Sequence, residues 1–255
     1  MNEVKAKKFL GQHFLTDENI ARRIVESLSP DVPRLLEIGP GMGVLTKYLI
    51  NKTDTDFKVI EIDRESVSYL HEYYPSLNII EGDFLKQDLS SLFHDSYAII
   101  GNFPYNISSQ ILFRVFEQRN SVSEVVGMFQ KEVAERIAAG PGSKTYGILS
   151  VLLSAFYNIE YLFTVPEHVF NPPPKVKSAV IRLTRNDTAA LPCDESLFVQ
   201  VVKAGFNQRR KTLRNALHQL NMSLDTVPVE YLGKRAEQLS VDDFITITKS
   251  IESCQ

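Results

Sequence analysis

Four consecutive residues, Asn102-Phe103-Pro104-Tyr105, have the types and order that could hold a planar group by its amine. The asparagine oxygen can accept one N–H, an adjacent backbone carbonyl a second, and the tyrosine ring can stack on the group. An exocyclic amine on a base, such as N6 of adenine, fits that grip. The quartet follows Tyr97-Ala98-Ile99-Ile100, an apolar run that reads as a buried strand. In an open α/β sheet the C-terminal ends of strands are where ligands bind. An ordinary turn closing a strand would present the same four residues, so the surrounding chain must decide.

Upstream, Leu35-Leu36-Glu37-Ile38 runs into Gly39-Pro40-Gly41-Met42-Gly43, and Val44 to Ile50 has helical apolar spacing. Glycines there admit a ligand close to the backbone, and a helix N-terminus offers free N–H groups. The next strand, Phe57 to Asp63, ends on acids, and Glu61 lies 22 positions after Gly39. That is near the spacing at which an acid meets ribose hydroxyls, which leaves NAD or another adenosine-bearing cofactor open. The third glycine of a dinucleotide loop is missing, however, and a third strand, Leu77 to Phe84, ends with a further acid, Asp83. Strand-acid, strand-acid, strand-Asn resembles class I S-adenosylmethionine-dependent methyltransferases more than dehydrogenases.

Over nearly its full length the chain resembles the KsgA-type small-subunit ribosomal RNA adenine N6,N6-dimethyltransferases. The matching segments begin with Lys8-Phe9-Leu10-Gly11-Gln12-His13-Phe14-Leu15, Glu37 to Gly41, Val59 to Asp63, and Gly101 to Ser109. Val169 to Val180, Ala204 to Leu217 and Arg235 to Ser240 follow in the same order. Two positions depart from the usual wording: His13 stands where Asn is usual, and Phe103 where Leu is usual. The resemblance implies that Gly39 and Gly41 pack against S-adenosylmethionine, that Glu61 takes its ribose hydroxyls and that Asp83 accepts from its adenine amine. It adds His13 and Leu15 as cofactor contacts, mostly through backbone and packing. Asn102 would touch cofactor and substrate, the Phe103 carbonyl would accept the second N6 hydrogen, and Tyr105 and Phe170 would stack on an extruded adenine. A core phenylalanine ahead of a proline bend is the other reading of Phe170. The implied substrate is two adjacent adenines in a hairpin near the 3′ end of small-subunit rRNA, on an immature 30S particle.

Net charge is −3 for 255 residues, so composition alone gives no sign of a nucleic-acid partner. Charge distribution does. No acid occurs from Ser196 to Leu224, while Lys203, Arg209, Arg210, Lys211 and Arg214 fall inside that span. Such a stripe is either a solvated helix face or a footprint for phosphate; beside an adenine-gripping motif we read it as RNA contact. Lys5, Lys7, Lys8, Arg22 and Arg23 extend the footprint. Cys193 and Cys254 match neither a metal spacing nor a disulfide framework, and read as cytosolic thiols. With 44% apolar residues, no run long enough to cross a bilayer and no secretory signal, a cytoplasmic monomer without metal, DNA or membrane partner is expected.

These residues need an α/β frame: a Rossmann-like, mainly parallel sheet with strands alternating with helices, preceded by an arm and first helix over residues 1–23. Further strands are expected at 125–130, 159–165 and 178–184, with helices at 131–139 and 146–157. The breaker-rich stretch Arg185 to Pro192 places the boundary between a catalytic domain, 1–186, and a small helical RNA-contacting domain, 187–255. Three rivals are set against this reading. Macrolide-resistance rRNA methyltransferases share the Asn-x-Pro-Tyr motif but modify large-subunit rRNA, and the 206–217 and 235–240 segments point away from them. DNA adenine or protein glutamine methyltransferases typically carry N/D-P-P-Y, whereas Phe103 replaces the first proline. An assembly factor that binds without catalysis would not need Glu61, Asp83 and Asn102 together.

Overall fold

The computed structural model describes residues 4–52 and 54–253; Cys254 lies outside them. Along the chain come β1 (Phe14–Leu15), α1 (Glu18–Glu26), β2 (Arg34–Ile38), α2 (Thr46–Leu49), β3 (Asp56–Glu61), α3 (Arg64–Tyr73), β4 (Asn78–Glu81) and β5 (Tyr97–Asn102). Then follow α4 (Ser108–Glu117), β6 (Val122–Gln130), α5 (Lys131–Ile137), α6 (Ile148–Ser154), β7 (Tyr157–Val165), β8 (Phe170–Asn171) and β9 (Ser178–Arg185). The last helices are α7 (Glu195–Asn207), α8 (Leu213–Leu217), α9 (Val229–Leu232) and α10 (Val241–Glu252).

The first unit holds the described residues up to Ala134 together with Ile159–Arg185. Its seven-stranded sheet has the order β4-β3-β2-β5-β6-β9-β7. The pairs from β4 to β6 are parallel, and β6 pairs β9 antiparallel. Both faces of the middle strands are covered, and Leu35, Leu36, Ala98, Ile99, Ile100, Val125 and Val126 are fully buried. That is why these strands read as continuous apolar runs rather than alternating ones. Strand order reverses between β2 and β5, the crevice where open α/β sheets bind ligands. A second, two-stranded sheet joins β1 to β8, with Phe14 opposite Asn171 and Leu15 opposite Phe170. Asp17 caps α1 by accepting from Asn19 N and Ile20 N at 2.9 and 3.0 Å, and Ala21, Ile24 and Val25 bury the inner face.

The second unit holds 135–158 and the described residues from 186 to 253, and is helical. Residues 135–158 were expected in the catalytic domain and instead pack with the C-terminal helices. The cause is α6, where Leu149, Val151, Leu152 and Leu153 are all buried, so the helix needs partners on several sides and finds them in α7 and α10. The Tyr146 ring meets Phe206 edge-on at 5.8 Å, and Phe206 meets Phe244 at 5.9 Å. Element ends also differ from expectation. The strand drawn to Asp63 stops at Glu61 because Asp63 caps α3, accepting from Glu65 N at 3.2 Å. The strand drawn to Phe84 stops at Glu81, which leaves Asp83 in a turn; the expected 44–50 and 146–157 helices shorten to α2 and α6.

Candidate active site

The site is assembled at the C-terminal ends of β2, β3, β4 and β5. Gly39 and Gly41 turn the chain out of β2 with φ of +68° and +56°, which residues with a Cβ seldom adopt. A Cβ on Gly39 would meet only Pro104, 3.9 Å away, so space above the loop is open toward a ligand. A Cβ on Gly41 would strike the Phe14 ring at 2.8 Å, because the arm lies directly on the loop.

Glu61, at the end of β3, is 4% exposed. One carboxylate oxygen accepts from Gly41 N at 3.1 Å, and the other from Ile62 N and Asp63 N at 2.9 Å. Burial raises its pKa and these three bonds oppose the rise. Asp63 accepts from Lys7 Nζ and, at 3.2 Å, from Gln12 Nε2, so its acid secures the arm. Asp83 lines the same cavity from the turn after β4, with its Oδ1 accepting from Leu85 N at 3.0 Å.

Asn102 is the last residue of β5, and its Nδ2 donates to the His13 carbonyl at 2.9 Å. That bond fixes which way the amide points and leaves Oδ1 as the end able to accept an incoming N–H. Tyr105 bonds Ser178 Oγ through its hydroxyl and stacks on the His13 ring, centroids 5.3 Å apart at 29°. His13 Nδ1 is also 2.7 Å from the Pro172 carbonyl oxygen.

The Phe103 ring points away from the cavity mouth into a slot made by two glycines. A Cβ on Gly101 would lie 2.6 Å from that ring and 2.7 Å from the Ile38 carbonyl, while a Cβ on Gly127 would overlap both it and Phe129, the latter at 2.7 Å. Gly127→Ala therefore overpacks a slot whose walls cannot move. We expect a loss of about 2–3 kcal/mol in urea unfolding. Gly127→Ala combined with Phe103→Leu recovers part of it, and equal losses in both variants would rule the slot out.

Glu37, 1% exposed, accepts from Thr46 Oγ1 at 2.7 Å, and burial lifts its pKa to about 8. Between its unfolded value near 4.5 and about 8, the folded state holds a proton that the unfolded state has lost. Rising pH therefore favours unfolding across that window, by up to about 1.4 kcal/mol per pH unit. Glu37→Gln should match wild type near pH 5 and gain in Tm relative to it as pH rises to 8. A pH-independent difference would contradict the assignment.

Of the residues singled out in the sequence, His13, Gly39, Gly41, Glu61, Asp83 and Asn102 to Tyr105 line one cavity. Leu15 does not; it is 4% exposed and borders a smaller cavity with Glu37, Gly39 and Asn102. Phe170, 4% exposed and paired with Leu15, packs in the apolar core, which favours the core reading of this residue over the stacking one. The Arg209 guanidinium donates to the Lys144 carbonyl and lies 3.8 Å from Glu237, with its side chain 40% exposed. Lys203, Arg210, Lys211 and Arg214 are exposed in the second unit. In the arm, Lys7 pairs with Asp63 and Glu65, and Arg23, which is exposed, lies 3.7 Å over the Phe163 ring. Sequence reasoning missed Gln12, Asp63, Gly127 and Ser178; Gln12 and Asp63 lie inside matching segments, whereas nothing local marks Gly127. Among the described residues no helix is long and apolar enough to cross a membrane, and no group of three or more His, Cys, Asp or Glu could hold a metal.

A mainly parallel sheet with a glycine loop after its central strand, a buried carboxylate on the next, and an Asn-led motif across the switch point defines a class I S-adenosylmethionine-dependent methyltransferase. The open space over Gly39 and the acceptor groups of Glu61 and Asp83 fit an adenosine-bearing cofactor. The family model for ribosomal RNA adenine dimethylase matches residues 3–253, and the chain belongs to that family. Ribosomal RNA small subunit methyltransferase A of Cytophaga hutchinsonii is 60% identical over 255 residues, covering 98% of this chain and 99% of the relative. The protein of that name from Bacteroides thetaiotaomicron is 59% identical, covering 99% and 96%. Among solved structures, a dimethyladenosine transferase from Plasmodium falciparum superposes with a TM-score of 0.77 at 25% identity, covering 94% of this chain and 98% of that one. The 23S rRNA methyltransferase ErmE shares the fold, with a TM-score of 0.72 at 23% identity over 94% and 99%.

Proposed function

We propose that this chain methylates N6 of two adjacent adenines in a hairpin near the 3′ end of small-subunit rRNA, giving N6,N6-dimethyladenosines. It acts on an immature 30S particle, as a cytoplasmic monomer, with S-adenosylmethionine as donor. The observation that carries the reading is the Asn102 amide, whose NH₂ is tied to the His13 carbonyl so that Oδ1 is left to accept. The names of the relatives, which place their action on the small subunit, support the choice of substrate.

The bound cofactor supplies an electrophilic methyl group. Gly39 and Gly41 would let it approach the backbone, Glu61 would accept from the ribose hydroxyls and Asp83 from its adenine amine. Asn102 Oδ1 and the Phe103 carbonyl would accept the two N6 hydrogens of the target adenine. Those bonds draw the nitrogen lone pair out of ring conjugation, so the amine becomes a nucleophile by orientation and electrostatics. No strong base is needed in the grip, because the methylated ammonium is acidic and gives its extra proton to solvent after transfer. The target must be unpaired or flipped to reach the cavity. Tyr105, held by Ser178 and His13, would stack on it, a contact worth roughly 1–3 kcal/mol.

The test is methyl transfer from labelled S-adenosylmethionine to small subunits lacking the modification, followed by nucleoside identification. N6,N6-dimethyladenosine at two methyls or more per particle is expected. Label on large-subunit RNA alone, or tight particle binding without transfer, would overturn the reading.

A further inference from the structure

Arg209 sits in the cationic stripe, yet it is anchored inside its own unit. Its guanidinium donates to the Lys144 carbonyl and its Nε lies 3.8 Å from the Glu237 carboxylate. The Glu237 carbonyl in turn accepts from Gly142 N at 2.6 Å. Residues 140–145 are thus fastened at two points, to Arg209 before α8 and to the Arg235–Ser240 segment. Within the loop, Ser143 Oγ bonds Thr145 Oγ1 at 2.8 Å and accepts from Thr145 N at 3.2 Å, closing a turn. The far side is open: a Cβ on Gly140 or Gly142 meets nothing within 4 Å, and Gly140, Pro141, Gly142 and Lys144 are exposed. Arg209 is followed directly by the exposed Arg210 and Lys211, then by Arg214. Glu237 is paired with Arg209, which offsets its charge.

We propose that Lys144 is a phosphate contact for the RNA substrate, presented on a loop that Arg209 fastens, and that Arg209 is a positioning residue rather than a phosphate ligand. The inference rests on the functional reading above. A lysine on a loop already tied down forfeits less freedom on binding than one on a loose loop, so its charge counts more fully toward RNA affinity. The contact is to backbone phosphate and carries no sequence preference.

The experiment measures binding of the full chain and its variants to unmodified small subunits and to a synthetic hairpin of the target RNA, across a salt series. Lys144→Ala should weaken binding about 3–10-fold and flatten the dependence of log K on log salt by about one phosphate's contribution. The cofactor-induced rise in Tm should be unchanged. Arg209→Ala should weaken binding similarly, and the double variant no further, since both remove the same contact. Additive losses would make Arg209 a phosphate ligand itself and overturn its positioning role. Unchanged affinity and salt slope in Lys144→Ala, whose side chain is exposed and whose loss spares the fold, would overturn the proposal while leaving wild-type transfer intact. Wild type that neither binds nor methylates these particles would bring down the functional reading first and this inference with it.

Discussion

Asn102→Ala lowers methyl transfer about 10³-fold at saturating RNA and cofactor, the scale seen when a preorganised hydrogen-bond partner of a reacting group is deleted. The substitution removes Oδ1, the proposed acceptor for one N6 hydrogen. It also removes the Nδ2 donation that holds the half-buried His13 carbonyl at 2.9 Å, so the arm that lines the cavity loses a fixing point. The proposed contact of Asn102 with the cofactor adds a modest drop in cofactor affinity to the rate loss. Asn102→Asp separates the two functions. It keeps an oxygen acceptor but sets a carboxylate against the His13 carbonyl, which has no hydrogen to offer. We expect Asp to rescue little of the rate. Normal transfer by Asn102→Ala in saturating single-turnover assays would end the amine-grip account.

Glu61→Gln weakens S-adenosylmethionine binding about 100-fold, or about 2.7 kcal/mol, in line with loss of hydrogen bonds to a charged acceptor. The carboxylate is an acceptor on both oxygens and receives three backbone N–H groups from Gly41, Ile62 and Asp63. A glutamine offers one oxygen only. Its NH₂ must then face either Gly41 N–H or the Ile62–Asp63 pair, donor against donor, and the glycine loop loosens. Calorimetry of cofactor binding checks the affinity. A cofactor-induced Tm rise that disappears in the variant while RNA binding persists gives the same answer by linkage. Since burial raises the Glu61 pKa, protonation begins at a higher pH than for a solvated glutamate. Cofactor affinity of wild type should accordingly fall on acidification before solvated carboxylates titrate. Unchanged cofactor affinity in Glu61→Gln would remove Glu61 from the ribose site.

Much of the cavity was legible in the amino-acid sequence because of one geometric fact about α/β proteins. Strands that alternate with helices run parallel, so residues just beyond their apolar runs collect at one edge of the sheet. Gly39, Glu61, Asp83 and Asn102 are all found by that rule, although Asp83 lies in a turn rather than on a strand. The second unit was legible only in part. The helix expected at 131–139 is there as α5, ending at Ile137, but a discontinuous unit leaves no mark in the order of residues. What joins 135–158 to α7 and α10 is complementarity of apolar surfaces far apart along the chain.

The sequence by itself determined the sheet, the glycine loop, the strand-end acids and the Asn-led motif. Each depends on local periodicity and on residues whose chemistry is confined to few positions. Tertiary structure decided the rest. It turned Phe170 inward, because pairing Phe14–Leu15 with Phe170–Asn171 sets which side chains meet the core. It stacked His13 on Tyr105, and it fitted the Phe103 ring between Gly101 and Gly127. It also set the Arg209 guanidinium against the Lys144 carbonyl and Glu237. Those outcomes turn on contacts between residues distant in sequence, where register and packing, not residue type, choose which face a side chain presents.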